Sequence, residues 1–305
     1  MIFPSPLNPG DTIGLIAPCS PVDPSRALLC KEFIESMGYS VIMGESTRSS
    51  LHGYLAGSDS IRANDINSMF VSPKIQAIFC LRGGYGSNRL LDLIDFPAIQ
   101  KNPKIFVGYS DVTTLHLAFH KLCKFVTFHG PMVSSNMLDD FDEYSANSFR
   151  KTIQMKHCLP FHNPASDPMH IISHGCGCGE LIGGCLSLVS SCIGTYYQPD
   201  FRGKILFLED INESLPRCDK MMEQLFHCGI MDQINGLLLG DFVNCNNESD
   251  PSYHIENYFL ERLGNLHKPV VSNIKSGHCK PTATLPMGCL CKIDTSRQAL
   301  SFFKS

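Results

Sequence analysis

Tryptophan is absent from the 305-residue sequence, which removes the largest aromatic platform for stacking a nucleobase, although 19 Phe and 9 Tyr could still build one. Charge is also scarce. Only 18% of residues are Asp, Glu, Lys or Arg, and the net charge of -4 leaves no basic excess to follow a nucleic-acid backbone. No stretch approaches the roughly 20 apolar residues that span a bilayer. Met1-Ile2-Phe3-Pro4 lacks the basic start and long apolar core of an export signal. The expected location is therefore cytoplasmic, with a small molecule or peptide as partner and neither nucleic acid nor membrane. The chain also lacks both G-x-G-x-x-G and G-K-[ST], which discounts nucleotide-phosphate binding, and no cofactor is expected.

What is abundant is apolar material, 43% of residues, and cysteine, with 15. The composition excludes disorder, and the length allows two domains or one large α/β domain with a substantial core. The odd cysteine count and the apolar surroundings of Cys80 and Cys192 favour reduced core thiols over disulfides. Two C-x-C pairs, Cys176/Cys178 and Cys289/Cys291, suggest a four-thiolate zinc site, but such sites usually space their cysteines two to four residues apart. Small buried cysteines are the expectation, and no metal. His116 and His120 share a helix face without the H-E-x-x-H pattern, so packed or solvated histidines are expected there.

Short apolar runs alternate with helix-like spacing along the first half. Thr12–Ala17, Tyr39–Met43, Ile75–Cys80 and Ile105–Val107 read as strands; Pro24–Met37 and Ile61–Phe70 read as helices. This order predicts a parallel sheet covered by helices, with binding residues in the loops after the strands. Pro160 to Pro168 reads as a linker, giving domains at 1–160 and 175–305 joined by 161–174. In the second half, glycine-rich Gly175–Gly184 precedes a helix over Cys185–Ile193, and the strand Lys204–Leu208 delivers Glu209-Asp210 at its end. Thr284–Gly288 begins a final set of strands.

Two loops of the first half emerge on one sheet edge. In Lys104–Thr114 (KIFVGYSDVTT) a buried strand turns at Gly108 into a helix, with Ser110 at the apex. Such a turn presents a nucleophilic hydroxyl beside free backbone N–H groups. Val112 occupies the second glycine position of the usual G-x-S-x-G elbow, so a serine that merely caps a helix is the competing reading. Arg82-Gly83-Gly84-Tyr85-Gly86 lets backbone N–H groups approach a ligand, as an oxyanion donor or carboxylate cradle, and a tight turn is its alternative. A serine nucleophile needs a base and an orienting carboxylate. Glu209 and His278 are the candidates, with Asp210 competing for the first role and His129 for the second.

Seven segments in register, among them Tyr54–Asn67, Ile78–Phe96, Pro103–Ala118, Glu180–Val189 and Gly194–Glu213, resemble the LD-carboxypeptidase family of serine peptidases. TFHGPM (Thr127–Met132) and the Gly277–Gly288 segment complete the match. The family includes murein tetrapeptide carboxypeptidases of peptidoglycan recycling and microcin-C immunity peptidases. The resemblance implies an α/β N-terminal parallel-sheet domain carrying the serine, and a smaller β-rich α+β C-terminal domain carrying the other two residues of a Ser110–Glu209–His278 triad. It implies an oxyanion hole from the Asp111 and Gly84 amides, substrate contacts at Gly83 and Tyr85, and a homodimer. The implied activity is removal of a C-terminal D-amino acid, D-Ala first, from a murein tetrapeptide. A peptidyl-nucleotide amidase and an inactive muropeptide-binding protein are the alternatives. One departure stands out: Cys185 replaces the Asn that usually follows the family's Gly-Gly.

Overall fold

The apolar runs become strands in the computed structural model of the chain, which describes residues 1–304. The first half supplies β1 (Thr12–Ile16), α1 (Pro24–Ser36), β2 (Ser40–Met43), α2 (Asp59–Val71), β3 (Ala77–Cys80), β4 (Ile105–Gly108), α3 (Thr113–Leu122), β5 (Thr127–His129) and α4 (Glu143–Ile153). The second supplies β6 (Cys158–Phe161), β7 (His170–Ser173), β8 (Cys176–Cys185), α5 (Leu186–Cys192), β9 (Ile205–Ile211), α6 (Leu215–His227) and β10 (Gly236–Val243). It closes with α7 (Ile255–Leu263), β11 (Val270–Ser272), β12 (Leu285–Met287), β13 (Leu290–Asp294) and β14 (Ala299–Phe303).

A six-stranded sheet has the order β12-β5-β4-β3-β1-β2, with β1 to β5 parallel and β12 antiparallel to β5. Its central strands β3 and β4 are buried throughout, as a parallel sheet covered on both faces requires. Helix starts follow side-chain chemistry: Asp23 accepts from the Ser25 and Arg26 amides, and Ser58 from the Ile61 amide. Phe70, Phe106, Phe119 and Phe125 pack edge-on or stacked beneath this sheet. Each such buried ring contributes about 2–3 kcal/mol of transfer free energy.

The second sheet has eight strands, β6-β14-β13-β8-β9-β10-β11-β7, parallel from β8 to β11 and antiparallel on both flanks. The chain is therefore a two-domain α/β protein with a mixed second sheet. The glycine-rich stretch, to which the sequence assigned no element, forms the ten-residue strand β8. Its glycines permit close backbone approach: a Cβ on Gly179 would lie 2.1 Å from Gly203 O, and one on Gly183 2.0 Å from Phe207 O. Strand β9 runs through Glu209 and Asp210 to Ile211 instead of ending before them. The Thr284–Gly288 segment returns to the first sheet, where Leu285 pairs with His129 and Pro286 sits on an edge strand that spares its missing donor. No helix among the described residues is long and apolar enough to cross a membrane.

Candidate active site

Strand β4 ends at Gly108, and the chain turns so sharply that Ser110 takes a left-handed φ of 62° before a 3-10 turn leads into α3. A non-glycine residue held there stores strain of about 1–3 kcal/mol, a feature that clusters at functional sites. Gly108 is required for space: a Cβ there would lie 2.8 Å from Val112 Cγ1. Val112 therefore fills the volume above Gly108, which accounts for the absent second glycine of the elbow. Buried His116 braces the same turn, its Nε2 2.8 Å from Gly108 O and its Nδ1 2.8 Å from Thr127 Oγ1. Burial pushes its pKa down to about 4, so it is neutral and structural.

The Gly83-Gly84 loop lies against this turn. A Cβ on Gly83 would stand 2.8 Å from Ser110 Cβ, 3.0 Å from its Oγ and 3.5 Å from the Asp111 amide nitrogen. Gly83 O accepts from the Ser20 amide at 3.2 Å, which turns the Gly84 N–H, on the opposite side of the same trans peptide, away from Ser20. Gly83→Ala is expected to lower kcat/KM on the order of 10²-fold while leaving circular dichroism unchanged, because the added methyl displaces the Ser110 hydroxyl. Wild-type kinetics in that variant would contradict the close approach.

Two side chains not singled out from the sequence, those of Asp111 and Arg62, hold the loop in place. The buried Asp111 carboxylate accepts the Ser87 amide at 2.8 Å, and Ser87 Oγ donates to Asp111 O at 2.5 Å. Beneath them, fully buried Arg62 donates to Pro18 O at 2.6 Å and to Gly86 O at 2.8 Å, and pairs with Asp59. In sequence Arg62 is one more charged position of a helix, and the carbonyls that explain its burial, Pro18 and Gly86, lie on loops distant in sequence.

Glu209 is 0% exposed, on a central strand of the second sheet. Its Oε2 lies 2.7 Å from His278 Nδ1 and accepts the His278 backbone N–H at 3.3 Å. Glycines make the room: a Cβ on Gly277, whose φ is 107°, would meet Glu209 Oε2 at 2.5 Å, and one on Gly240 would meet Glu209 Cβ at 2.8 Å. Burial pushes the Glu209 carboxyl up, opposed by the attraction of His278. Burial alone would depress His278, yet the Glu209 carboxylate against it carries its pKa above the usual histidine value. The imidazole packs edge-on at 4.8 Å against Tyr109, the residue before Ser110, so the dyad stands beside the serine turn.

The competing residues are otherwise engaged. Asp210 Oδ2 accepts the Ser187 amide at 2.8 Å at the start of α5, and its Oδ1 accepts the Ile211 amide at 2.8 Å. His129 is buried between Tyr109 and Phe207 with neither ring nitrogen hydrogen-bonded, and burial holds its pKa well down. His120 lies 3.3 Å from Glu180. Register places Cys178 opposite Lys292 and Cys291 opposite Gly179, so the two C-x-C pairs face opposite sides of the sheet. Among the described residues no group of three His, Cys, Asp or Glu converges as metal ligands would. Cys185 Sγ donates to Asp210 Oδ1 at 3.4 Å, and its amide donates to Thr113 Oγ1 at 3.1 Å, tying β8 to the first turn of α3.

Two family models match the chain, the LD-carboxypeptidase N-terminal domain over residues 13–130 and the LD-carboxypeptidase C-terminal domain over residues 178–293. A probable murein peptide carboxypeptidase of Bacillus subtilis (strain 168) is 38% identical over 97% of this chain and 92% of its own length. The structure of a muramoyltetrapeptide carboxypeptidase from Oxalobacter formigenes matches at 30% identity and a TM-score of 0.83, covering 96% of this chain and 99% of that one. A microcin C7 self-immunity protein, solved as an inactive mutant without ligand, matches at 26% identity and a TM-score of 0.92, covering 100% of this chain and 99% of that one.

Proposed function

Because the chain belongs to the LD-carboxypeptidase family of serine peptidases, we propose that it removes the C-terminal D-amino acid, D-Ala first, from murein tetrapeptides. The observation that carries the reading is the 2.7 Å contact of His278 with Glu209 beside the strained Ser110 turn. With Nδ1–H donated to Glu209, the lone pair of neutral His278 is left on Nε2. Nε2 takes the Ser110 proton as Oγ attacks the carbonyl carbon before the terminal D-residue. The Asp111 and Gly84 N–H groups stabilise the tetrahedral oxyanion, while Gly83 and Tyr85 border the substrate. Collapse expels the D-amino acid, whose amine receives the proton from His278; water, deprotonated by the same imidazole, then hydrolyses the acyl-enzyme and frees Ser110.

This mechanism fixes a pH dependence. His278 must be neutral to act as base, and its folded pKa is raised, so activity is lost on the acid side as pH falls through a value above 6.5. The acid limb of kcat/KM is expected above that value in wild type. In Glu209→Gln the residual activity should show a limb moved to lower pH, because the charge that raises His278 is gone. A limb that stays in place would exclude Glu209 as its cause.

The proposal extends to setting and organisation. Residues 1–160 carry the nucleophile and 175–305 the Glu–His pair; the expected join at 161–174 is itself built into the second sheet, since β6 and β7 form its two edges, and β12 returns to the first sheet. The enzyme acts in the cytoplasm on recycled muropeptides, as a homodimer; light scattering tests the last point. Closer structural overlap with the microcin self-immunity protein supports a second reading, an amidase for peptidyl-nucleotides. Parallel assays with a murein tetrapeptide and a peptidyl-adenylate decide between them, and the murein reading fails if only the adenylate is cleaved. An inactive muropeptide-binding protein would leave Ser110 unlabelled by a fluorophosphonate probe.

A further inference from the structure

The segment that joins the two edge strands of the second sheet is fastened to the loop that carries His278. Residues 162–169 run from β6 to β7, and residues 273–278 follow β11. Asn163 Nδ2 donates to Asn273 O at 2.5 Å, and Asn163 Oδ1 accepts the Lys275 amide at 3.1 Å. Asn273, held at a left-handed φ of 59°, answers with its own side-chain amide, which donates to Asp167 Oδ1 at 2.6 Å and to Pro168 O at 2.8 Å.

Lys275 ties both segments to the sheet. Its ammonium lies 2.8 Å from Asp167 Oδ2 and donates to Asp241 Oδ1 at 3.1 Å and Oδ2 at 3.2 Å. Burial works against that charge, yet the Asp167 and Asp241 carboxylates carry the Lys275 pKa above the usual lysine value. The sheet itself aims Asp241: β10 slips register against β9 between Leu239 and Phe242, an irregularity of the kind that redirects a side chain beside an active site. Within the slip, a Cβ on Gly240 would meet Glu209 Cβ at 2.8 Å and Ser276 O at 2.9 Å. Adjacent residues of β10 therefore press on the catalytic carboxylate and hold the lysine three positions before His278.

The imidazole is placed by the backbone of this loop. Its ring meets Glu209 at 2.7 Å and Tyr109 at 4.8 Å, contacts that hold only while residues 275–278 keep their path. Elsewhere the loop is tied to the approach of β12, where the Ala283 amide donates to Lys275 O at 2.6 Å and Ser276 Oγ donates to Ala283 O at 2.9 Å. The Lys275 ammonium adds two further elements, β10 and residues 162–169, through charged hydrogen bonds, which are stronger than neutral ones. A catalytic group misplaced by about 1 Å can cost on the order of 10²-fold in rate.

We propose that Lys275, clamped between Asp167 and Asp241, is a positioning residue for His278 that sets the reach of the imidazole toward Ser110. The proposal rests on the Ser110–Glu209–His278 reading and not on the identity of the peptide. The test follows labelling of Ser110 by a fluorophosphonate in wild type, Lys275→Met and Asp167→Ala, with kinact and KI resolved and melting temperatures measured beside them. In Lys275→Met, kinact is expected to fall by about 10- to 100-fold while KI stays within about twofold of wild type. Asp167→Ala removes one arm of the clamp at a side chain that is 46% exposed, so it should fold and lose part of the same rate. A role in stability alone predicts a lower melting temperature with wild-type kinact in the folded protein. That result in Lys275→Met, or in Asp167→Ala should the first variant not fold, overturns the clamp. A wild type that takes no label overturns the triad and the clamp together, whereas one that is labelled but leaves a murein tetrapeptide whole overturns the murein reading alone.

Discussion

Ser110→Ala is expected to reduce turnover of a murein tetrapeptide by about 10⁴-fold or more, since it removes the hydroxyl that forms the acyl-enzyme. The fold should survive. Ser110 is half-buried at the apex of a turn whose geometry is set by Gly108, Val112 and His116, none of which depends on its hydroxyl. The left-handed φ of 62° adds a control. Alanine keeps that strain and glycine relieves it, so Ser110→Gly should melt above Ser110→Ala, by the equivalent of about 1 kcal/mol, with both inactive. A well-folded Ser110→Ala that retains wild-type turnover would remove the serine from the mechanism.

Glu209→Gln is expected to cost about 10³–10⁴-fold in kcat with little change in KM. The carboxylate is fully buried on a central strand, and the Gly240 and Gly277 approaches leave no space for it to move. A glutamine amide in its place can present an N–H where His278 now needs an acceptor, which favours the wrong tautomer. It also withdraws the negative charge that stabilises the imidazolium formed during attack. Gln is isosteric, so a fall in activity without a fall in melting temperature separates the electrostatic role from a packing role. A variant with activity within tenfold of wild type would return Asp210 to consideration, although that carboxylate now accepts the Ser187 and Ile211 amides.

The serine turn was legible because its signal is local: an apolar strand, a small residue, a serine and a helix start occupy a few consecutive positions. Glu209 and His278 were recognisable as candidates for the same reason, being polar residues at strand and loop positions. Choosing His278 over His129 was not a local matter. His129 is buried between Tyr109 and Phe207, and Phe207 arrives on β9 of the second sheet, far along the sequence. The Asp111 carboxylate and Arg62 were invisible for a related reason. A buried charge makes sense only beside its partners, and those of Arg62 are backbone carbonyls on two other loops. The glycine-rich stretch carried no legible strand signal for the same reason, since its glycines answer to the close approach of Gly203 and Phe207 from other segments of the chain.

Mass spectrometry of a murein tetrapeptide incubated with wild-type protein, and with Ser110→Ala beside it, is the most direct test of the account. The expected result is a tripeptide with one free D-Ala released per molecule by the wild type and unchanged tetrapeptide with the variant. Release at a different bond, or equal release by both proteins, would contradict it.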